Sequence, residues 1–194
     1  MVWVMIPLDF LLEAYKEGVF PMAEPDGRLL WFSPDPRGVI PLDSFYQPHG
    51  LRRVVKSGKF EIRVNTSFRE VMEGCARRDE TWIDSGILET YCALYQEGYA
   101  HSVEAWYEGR LAGGLYGVAL GGAFFGESMY HDVTDASKVA LVALVERLKE
   151  RGFGLLDLQW VTPHLRQFGA EEIPRRRYLA QLKVEVGRKC QFFP

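Results

Sequence analysis

The segment from residue 100 to residue 161 most constrains how this chain can fold. Apolar and polar residues alternate through "HSVEAWY", "RLAGGLYGVAL" and "AFFGESMY", with Glu-Gly and Gly-Gly pairs between the runs. Such alternation predicts three antiparallel strands in a meander. An amphipathic helix, "DASKVALVALVERLKERG", and an apolar strand, "FGLLDLQWV", follow directly. This order predicts an α/β chain in which the helix crosses over and the last strand can lie parallel to a meander strand.

The chain before residue 100 predicts shorter elements. Asp9 can cap a helix through "FLLEAYKEGVF", and the two prolines of "SPDP" separate two extended segments. Capping patterns at Ser67 and Ser85 open two further helices, and a short basic helix precedes a strand in "LRRVVKSGKFEIRV". A short helical piece therefore precedes the α/β unit.

Composition narrows the class of protein. At 194 residues and 47% hydrophobic content, the chain is long enough to bury a substantial core. A net charge of -3 limits nucleic-acid contact to local basic patches. Three widely spaced cysteines support neither a disulfide scaffold nor a zinc site, which indicates a reducing cytoplasm. The sequence shows no signal peptide and no apolar run of about 18 residues, so we expect neither export nor a membrane span.

Acidic residues stand where an α/β sheet can place a site. Glu127 interrupts an aromatic, strand-like run, in which a carboxylate ordinarily faces water. Asp157 and Gln159 lie two apart in the last strand and share one face. If the strands before and after the crossover helix are neighbours, both acids open at the strand ends where α/β sheets bind ligands. Two acids and an amide can hold a cation or take a proton from an attacking amine.

Other residues with chemical potential carry weaker signals. The histidines, His49, His101, His131 and His164, are scattered, and Ser128 in "GES" lacks the second glycine of a nucleophile elbow. The glycines of "AGGLYGVALGG" do not link a strand to a helix, so turns explain them better than dinucleotide binding. Covalent catalysis is therefore less attractive than positioning and proton transfer.

Basic and aromatic residues outside the strands suggest contact with nucleic acid. Basic groups are ordinarily solvated faces, but two of them in a negatively charged protein can form a phosphate-binding patch. They contain Arg52, Arg53, Lys56, Lys59 and Arg63 in the first group, and Arg175, Arg176 and Arg177 in the second. Trp31 and Trp82 stand beside loops, where core packing is the ordinary role and stacking on a nucleobase is the alternative.

Seven motifs stand in order over most of the chain: "WFSPDPRGVI", "TWI", "YCALYQEGYAHSVEAWYEGRLAGGLYGVALG", "FGESMY", "DASKVALVALV", "LLDLQ" and "TPHLRQFGAEEIPRRRYL". Together they resemble the bacterial leucyl/phenylalanyl-tRNA–protein transferases. The resemblance implies transfer of leucine, phenylalanine or, less readily, methionine from aminoacyl-tRNA to the α-amine of proteins that begin with Arg or Lys. That addition marks the acceptor for N-end rule degradation. No metal or nucleotide cofactor is expected, because an aminoacyl ester is already activated.

The resemblance also implies a fold and a division of the chain. The fold is an N-acetyltransferase-like mixed sheet with flanking helices, expected over residues 61–194. An abbreviated N-terminal region is expected over residues 1–60. We therefore expect one catalytic domain with a small region before it.

The resemblance further implies roles for individual residues. Glu127 corresponds to the acid that meets the positive side chain of the acceptor's first residue. Asp157 and Gln159 stand at an Asp-x-Gln pair, "DLQ" in place of the more usual "DCQ", and would orient and deprotonate the amine. Trp82 and Tyr91 resemble residues that hold the terminal adenosine of the tRNA. The transferred side chain would be held by Met129, Leu115 and Phe124. From the basic segments we expect tRNA contacts at Arg52, Arg53, Lys56 and Arg63.

Two other functions stay open from the sequence. An acyl-CoA-dependent N-acyltransferase would also use an acid, but it needs a glycine-rich pyrophosphate loop between a strand and a helix, which this sequence lacks. A tRNA-binding module without catalysis would use the basic groups and Trp82, while Glu127 and Asp157 stay solvated. An aminoacyltransferase with charged tRNA and an amine acceptor as partners is the expectation tested below.

Overall fold

The computed structural model describes residues 5–24, 26–78 and 81–194. Within these ranges the helices are α1 Leu8–Lys16, α2 His49–Lys56, α3 Phe68–Ala76, α4 Ser85–Gln96, α5 Ala136–Glu150, α6 Pro163–Arg166 and α7 Arg175–Glu185. The strands are β1 Phe20–Ala23, β2 Leu29–Phe32, β3 Arg37–Ile40, β4 Glu61–Val64, β5 Ala100–Tyr107, β6 Arg110–Leu120, β7 Ala123–His131, β8 Leu155–Gln159 and β9 Glu171–Ile173. Among these helices none has the length and apolar composition that crossing a membrane requires.

Seven strands form one mixed sheet, in the order β4-β5-β6-β7-β8-β3-β9. The predicted meander is confirmed, because β5 pairs antiparallel with β6 and β6 with β7. Helix α5 crosses over from β7 to β8, which pair in parallel, and β3 lies antiparallel on the other side of β8. The predicted α/β class with a mixed sheet and flanking helices is confirmed, and so is the expectation that Glu127 and Asp157 lie on neighbouring strands.

A separate hairpin of β1 and β2 precedes the main sheet, with Phe20 paired to Phe32. The "SPDP" prolines then separate β2 from β3, which joins the main sheet. The two extended segments predicted around these prolines are therefore present, but they belong to different sheets. The division of the chain at residue 60 stays a prediction; β3, on its N-terminal side, pairs within the main sheet.

Apolar layers cover both faces of the main sheet. Helix α5 is buried along most of its length on one face, with Leu144 and Leu148 in that core. Helices α1, α3 and α4 contribute Leu11, Met72 and Tyr91 to the core on the other face. Each such fully buried side chain contributes about 2 kcal/mol. The sheet is thus held between two layers, which fixes the side chains at its strand ends.

The predicted helix caps agree with the structure less well than the predicted helices and strands do. Helix α4 is present, but its cap is Asp84 and not the predicted Ser85: the Asp84 side chain accepts from the Ile87 amide at 2.8 Å. Helix α1 begins before Asp9, which lies in its first turn and is not the cap. Ser67 precedes α3, but its side chain makes no capping bond. The buried carboxylate of Glu104 instead accepts hydrogen bonds from the Thr66 and Ser67 amides, at 2.8 Å each, and so fixes the segment that leads into α3.

Candidate active site

The parallel strands β7 and β8 separate in the middle of the main sheet. Their pairing ends at Phe125 and Asp157, although β7 continues to His131. A cavity of about 420 Å³ lies beside the gap, lined by residues 126–129 and 158–160 among others. The carboxyl ends of parallel strands are where open α/β sheets bind ligands. The crossover unit therefore builds the cavity.

Both strands carry an extra residue where they reach the cavity. Glu127 has no partner across β6, although the residues on either side of it are paired, and Leu158 is unpaired against β3 in the same way. Gln159 follows with a φ of 66°, in the left-handed region that favours glycine. The Trp160 amide donates to the Leu158 carbonyl at 2.8 Å, which closes a tight turn around Gln159. Bulges and strained residues of this kind re-aim side chains at functional sites.

The Glu127 carboxylate lies at the cavity and is only 9% exposed. The Tyr15 hydroxyl donates to its Oε1 at 2.7 Å, and the Gln159 Nε2 donates to its Oε2 at 3.0 Å. Burial raises the pKa of Glu127 to about 7, against the opposing effect of these hydrogen bonds. A solvent-facing role for Glu127 is therefore wrong, and its charge can change near neutral pH.

Two tyrosines support Glu127 from behind. The hydroxyls of Tyr15 on α1 and Tyr91 on α4 share a short hydrogen bond, and both side chains are buried. Burial, and next the Glu127 carboxylate, hold the pKa of both hydroxyls well above the usual value, so they stay protonated. Contrary to the expectation for Tyr91, this placement leaves it no surface on which to hold an adenosine, because its ring and hydroxyl are enclosed in the core.

Asp157 lies behind the cavity, in a buried ion pair with Arg37 of β3. The Arg37 Nε donates to Oδ1 at 2.9 Å, and Nη2 donates to Oδ2 at 2.6 Å. The backbone amide of Gln159 donates to Oδ1 at 2.8 Å, and the Tyr178 hydroxyl donates to Oδ2 at 2.7 Å. Four donors thus surround a fully buried carboxylate. The geometry does not fit the expectation that Asp157 itself takes a proton from an amine; it fits a role in holding Gln159.

Part of the cavity wall is apolar. The apolar side chains that line it include Leu115, Met129, Leu141, Leu144, Leu156 and Leu158. Leu115 and Met129 thus line the cavity, and their contact with the transferred side chain stays a prediction. Phe124 does not line the cavity: it is fully buried against Phe192, with ring centroids 5.1 Å apart, because β8 still covers β7 at this position. The expectation for Phe124 is corrected accordingly.

Two tryptophans line the cavity from different ends of β1. The Trp82 carbonyl accepts a hydrogen bond from the Ala23 amide at 3.3 Å, whereas the Trp160 ring packs on the Phe20 ring with centroids 5.2 Å apart. Trp82 is half-buried and thus stands where a nucleobase could stack. Trp31 is outside the lining of this cavity.

The predicted tRNA contacts lie on consecutive elements outside the cavity lining: Arg52, Arg53 and Lys56 on α2, and Arg63 on β4. The three α2 side chains are exposed. The Arg63 guanidinium pairs with Glu61 at 2.8 Å, which offsets part of its charge. Arg175, in the second basic group, donates to the Ser33 carbonyl at 2.8 Å and so holds the "SPDP" segment.

Two further features concern the metal-binding capacity and the polar groups of the described residues. Within residues 5–24, 26–78 and 81–194, no cluster of His, Cys, Asp and Glu side chains is arranged to hold a metal ion. The Tyr116 hydroxyl is buried in the wall and has no hydrogen-bond partner among the described residues.

Residues that the sequence did not single out complete the site: Tyr15, Arg37 and Tyr178. Arg37 stands in the "SPDPRG" motif, and a signal for it did exist, because an acid predicted in an interior strand requires a cationic partner. Tyr15 and Tyr178 gave no such signal, since one tyrosine on the apolar face of a helix is ordinary core.

Comparison with known proteins identifies relatives of this chain. The family model described as leucyl/phenylalanyl-tRNA protein transferase matches residues 39–183, and the model of that family's N-terminal domain matches residues 5–35. A leucyl/phenylalanyl-tRNA–protein transferase of Gloeobacter violaceus is 52% identical over 190 residues, which cover 97% of this chain and 98% of that protein. Its counterpart in Herpetosiphon aurantiacus is 56% identical over 179 residues, which cover 92% and 93%.

The solved structures that resemble this chain are more distant. L-PGS from Bacillus licheniformis has a TM-score of 0.43 at 13% identity, and the match covers 77% of this chain and 49% of that one. A ribosomal-protein-alanine N-acetyltransferase from Brucella melitensis has a TM-score of 0.41 at 15% identity, covering 63% and 89%. The sequence matches, which run over nearly the whole chain, are the informative ones. The chain belongs to the leucyl/phenylalanyl-tRNA–protein transferase family.

Proposed function

We propose that this protein transfers leucine, phenylalanine or, less readily, methionine from aminoacyl-tRNA to the α-amine of proteins that begin with Arg or Lys. Membership of the family supports the reaction. One observation carries the assignment to this cavity: the bulged carboxylate of Glu127 is hydrogen-bonded to the Gln159 amide beside an apolar wall. The new N-terminal residue would mark the acceptor for N-end rule degradation.

The apolar wall holds the side chain of the aminoacyl group. Leu115, Met129 and Leu158 offer only hydrocarbon and thioether surface to it. An apolar pocket discriminates by about 1–3 kcal/mol for a change of one methylene. Loose selection among leucine, phenylalanine and methionine follows, with polar side chains disfavoured because they would lose hydration without gaining a partner.

Gln159 orients the attacking amine. Its Nε2 donates to Glu127, so its amide oxygen is left to accept a hydrogen bond from the amine. The lone pair of the neutral amine attacks the ester carbonyl carbon, the carbon–nitrogen bond forms, and the bond to the ribose oxygen breaks. The amine's proton passes to the departing ribose oxygen, directly or through water. An amide is too weak a base to take that proton, so Gln159 contributes position.

Glu127 recognises the cationic side chain of the acceptor's first residue. A carboxylate whose pKa is about 7 is only partly ionised at neutral pH in the empty site. A guanidinium or ammonium group beside it favours the charged form. Binding of Arg or Lys therefore completes the ionisation of Glu127, whereas a neutral first residue leaves a buried carboxylate without a cation.

We place the remaining residues by the same reasoning. Trp82 stacks on the terminal adenosine. Asp157 is a positioning residue, because it accepts a hydrogen bond from the backbone amide of Gln159. The exposed basic side chains of α2 contact tRNA phosphates, which makes binding salt-dependent. The protein works in the cytoplasm, where charged tRNA is found and where the free thiols of Cys75 and Cys92 stay reduced.

The test is transfer of labelled leucine or phenylalanine from charged tRNA to a peptide beginning with Arg. A matching peptide beginning with Ala and a reaction with labelled acetyl-CoA serve as controls. The proposal expects label on the Arg peptide and none from acetyl-CoA. Label from acetyl-CoA would instead indicate an N-acyltransferase, and bound tRNA without transfer to either peptide would indicate a binding module.

A further inference from the structure

Trp160 presents a fixed aromatic surface at the cavity. The residue is 43% exposed, and its ring is held edge-on by Phe20, at 5.2 Å between centroids, and by Phe32, at 5.9 Å. Its backbone is held by the tight turn around Gln159 and by close packing on Gly38, where a Cβ would lie 2.7 Å from the Trp160 carbonyl carbon. An aromatic ring that is already fixed loses little entropy when it binds an apolar group.

Trp160 and Trp82 contact different ends of β1. Trp82 contacts β1 at Ala23, and Trp160 contacts the same strand at Phe20. Three residues of strand span about 10 Å. The two residues thus contact β1 about 10 Å apart, and Trp82 is the one assigned to adenosine.

Trp160 is instead next to the amine site. It follows Gln159, whose amide oxygen is placed to accept from the attacking amine. Consecutive α-carbons lie about 3.8 Å apart, both in this chain and in an acceptor. When the acceptor's first residue is held by Glu127 and Gln159, its second residue is thus one peptide unit away, within reach of Trp160.

We propose that Trp160 binds the side chain of the acceptor's second residue and selects an apolar or aromatic one. The proposal rests on the proposed function, since it presupposes an acceptor amine at Gln159. The ring neighbours of Trp160, Phe20 and Phe32, are apolar. A charged second residue would lose hydration against them without gaining a partner, whereas an aromatic one would stack.

The test compares peptides that begin Arg-Phe, Arg-Leu, Arg-Gly and Arg-Asp and are otherwise identical, at saturating charged tRNA. We expect kcat/KM to be about tenfold higher for Phe and Leu than for Gly, and lowest for Asp. Trp160→Ala should bring the Phe and Gly peptides within about twofold of each other, with KM for charged tRNA unchanged, whereas Trp160→Phe should keep most of the difference. Tyr99→Ala is the matched control, because Tyr99 is 39% exposed and lies outside the cavity lining.

Three results would overturn the proposal. The first is a wild-type enzyme that uses all four peptides equally. The second is a Trp160→Ala variant that keeps the preference for Phe over Gly. The third is a variant whose only change is a higher KM for charged tRNA, which would assign Trp160 to the nucleic acid. Transfer to none of the peptides would contradict the proposed function itself, so the two failures are distinguishable.

Discussion

Arg37 and Asp157 meet in a two-point ion pair that is almost wholly buried, with 1% and 0% of their side chains exposed. The pair joins β3 to β8, and Asp157 also accepts from the backbone amide of Gln159. The guanidinium lies 4.5 Å from the centre of the Tyr178 ring. Asp157, for which the sequence predicted a catalytic role, is therefore one of the groups that fix the strained end of β8.

Asp157→Ala should destabilise the protein by about 3–5 kcal/mol, because it leaves the Arg37 guanidinium buried without a counter-charge. Transfer should also fall, because the backbone amide of Gln159 loses its hydrogen-bond acceptor and the Gln159 side chain is no longer held in position. Chemical denaturation of the variant measures the first effect, and transfer at a temperature where it is folded measures the second. The double variant Arg37→Met/Asp157→Leu, which removes both charges, should recover a large part of the stability but not the transfer.

The exposed pair Arg63–Glu61 is the control for that measurement. Its side chains are 34% and 63% exposed. Removing one partner should change the free energy of unfolding far less than Asp157→Ala does, because water and salt screen an exposed pair. Equal losses from Asp157→Ala and Arg63→Ala would contradict the framework role of the buried pair.

Glu127 should give the acceptor reaction an ionisation near pH 7. Its pKa is about 7, and only the carboxylate form attracts a cation. For a peptide beginning with Arg, kcat/KM should rise with pH through this value, and Glu127→Gln should remove that limb. Ionisation of the acceptor's own amine is common to both enzymes and cancels in the comparison. A pH profile of the same shape in both would contradict the assignment.

The same pKa predicts the sign of a stability difference. The folded-state pKa of Glu127 is about 7, above its ordinary value of 4.5, so the folded protein binds this proton more tightly than the unfolded chain does. The stabilisation is complete below about pH 4.5 and is lost as the pH rises through about 7. Between these two pH values the stability of Glu127→Gln should therefore rise, relative to the wild type, by on the order of 3 kcal/mol. Denaturation at pH 5 and pH 8 checks this; a difference that shrinks with rising pH would contradict it.

Tyr116→Phe should leave the protein as stable as the wild type, or raise the free energy of unfolding by about 1 kcal/mol, because the hydroxyl it removes is buried without a partner. Tyr178→Phe is the matched change, since it removes a donor from Asp157 and should cost about 2 kcal/mol. Thermal unfolding compares the two. A destabilised Tyr116→Phe would show that this hydroxyl has a structural partner.

Met129→Phe should narrow the apolar part of the cavity. Transfer of phenylalanine should then fall about tenfold relative to transfer of leucine, because the introduced aromatic ring takes up space that the phenylalanine ring needs and the smaller leucine side chain does not. The ratio of kcat/KM for the two charged tRNAs on one enzyme cancels any effect of the substitution on stability or on the acceptor. An unchanged ratio would place the aminoacyl side chain elsewhere.

The sequence predicted those parts of the fold that depend on local pattern. The meander, the crossover helix and the parallel pairing of β7 with β8 all follow from hydrophobic periodicity and chain connection. The contact of Glu104 with the two residues before α3 could not be predicted, because the two segments lie far apart in sequence and their contact is set by packing.

The sequence predicted which residues form the candidate site better than it predicted how they are arranged. Glu127 and Gln159 were singled out, and they do meet at the cavity. Asp157 shares a face with Gln159 as expected, but its lone pairs are taken by Arg37 and Tyr178, whose positions depend on β3 and α7. The bulges that aim the site have no local sequence signal, since an extra residue in a strand is defined only against its partner strand.

The measurement that tests the central claim most directly compares acceptor peptides that begin with Arg and with citrulline, its uncharged isostere. The wild type should prefer the Arg peptide by about 100-fold in kcat/KM, as the loss of a charged hydrogen-bonded pair would give. Glu127→Gln should lose most of that preference while still transferring to the citrulline peptide. Equal losses on both peptides would contradict the claim that Glu127 reads the charge of the acceptor's first residue.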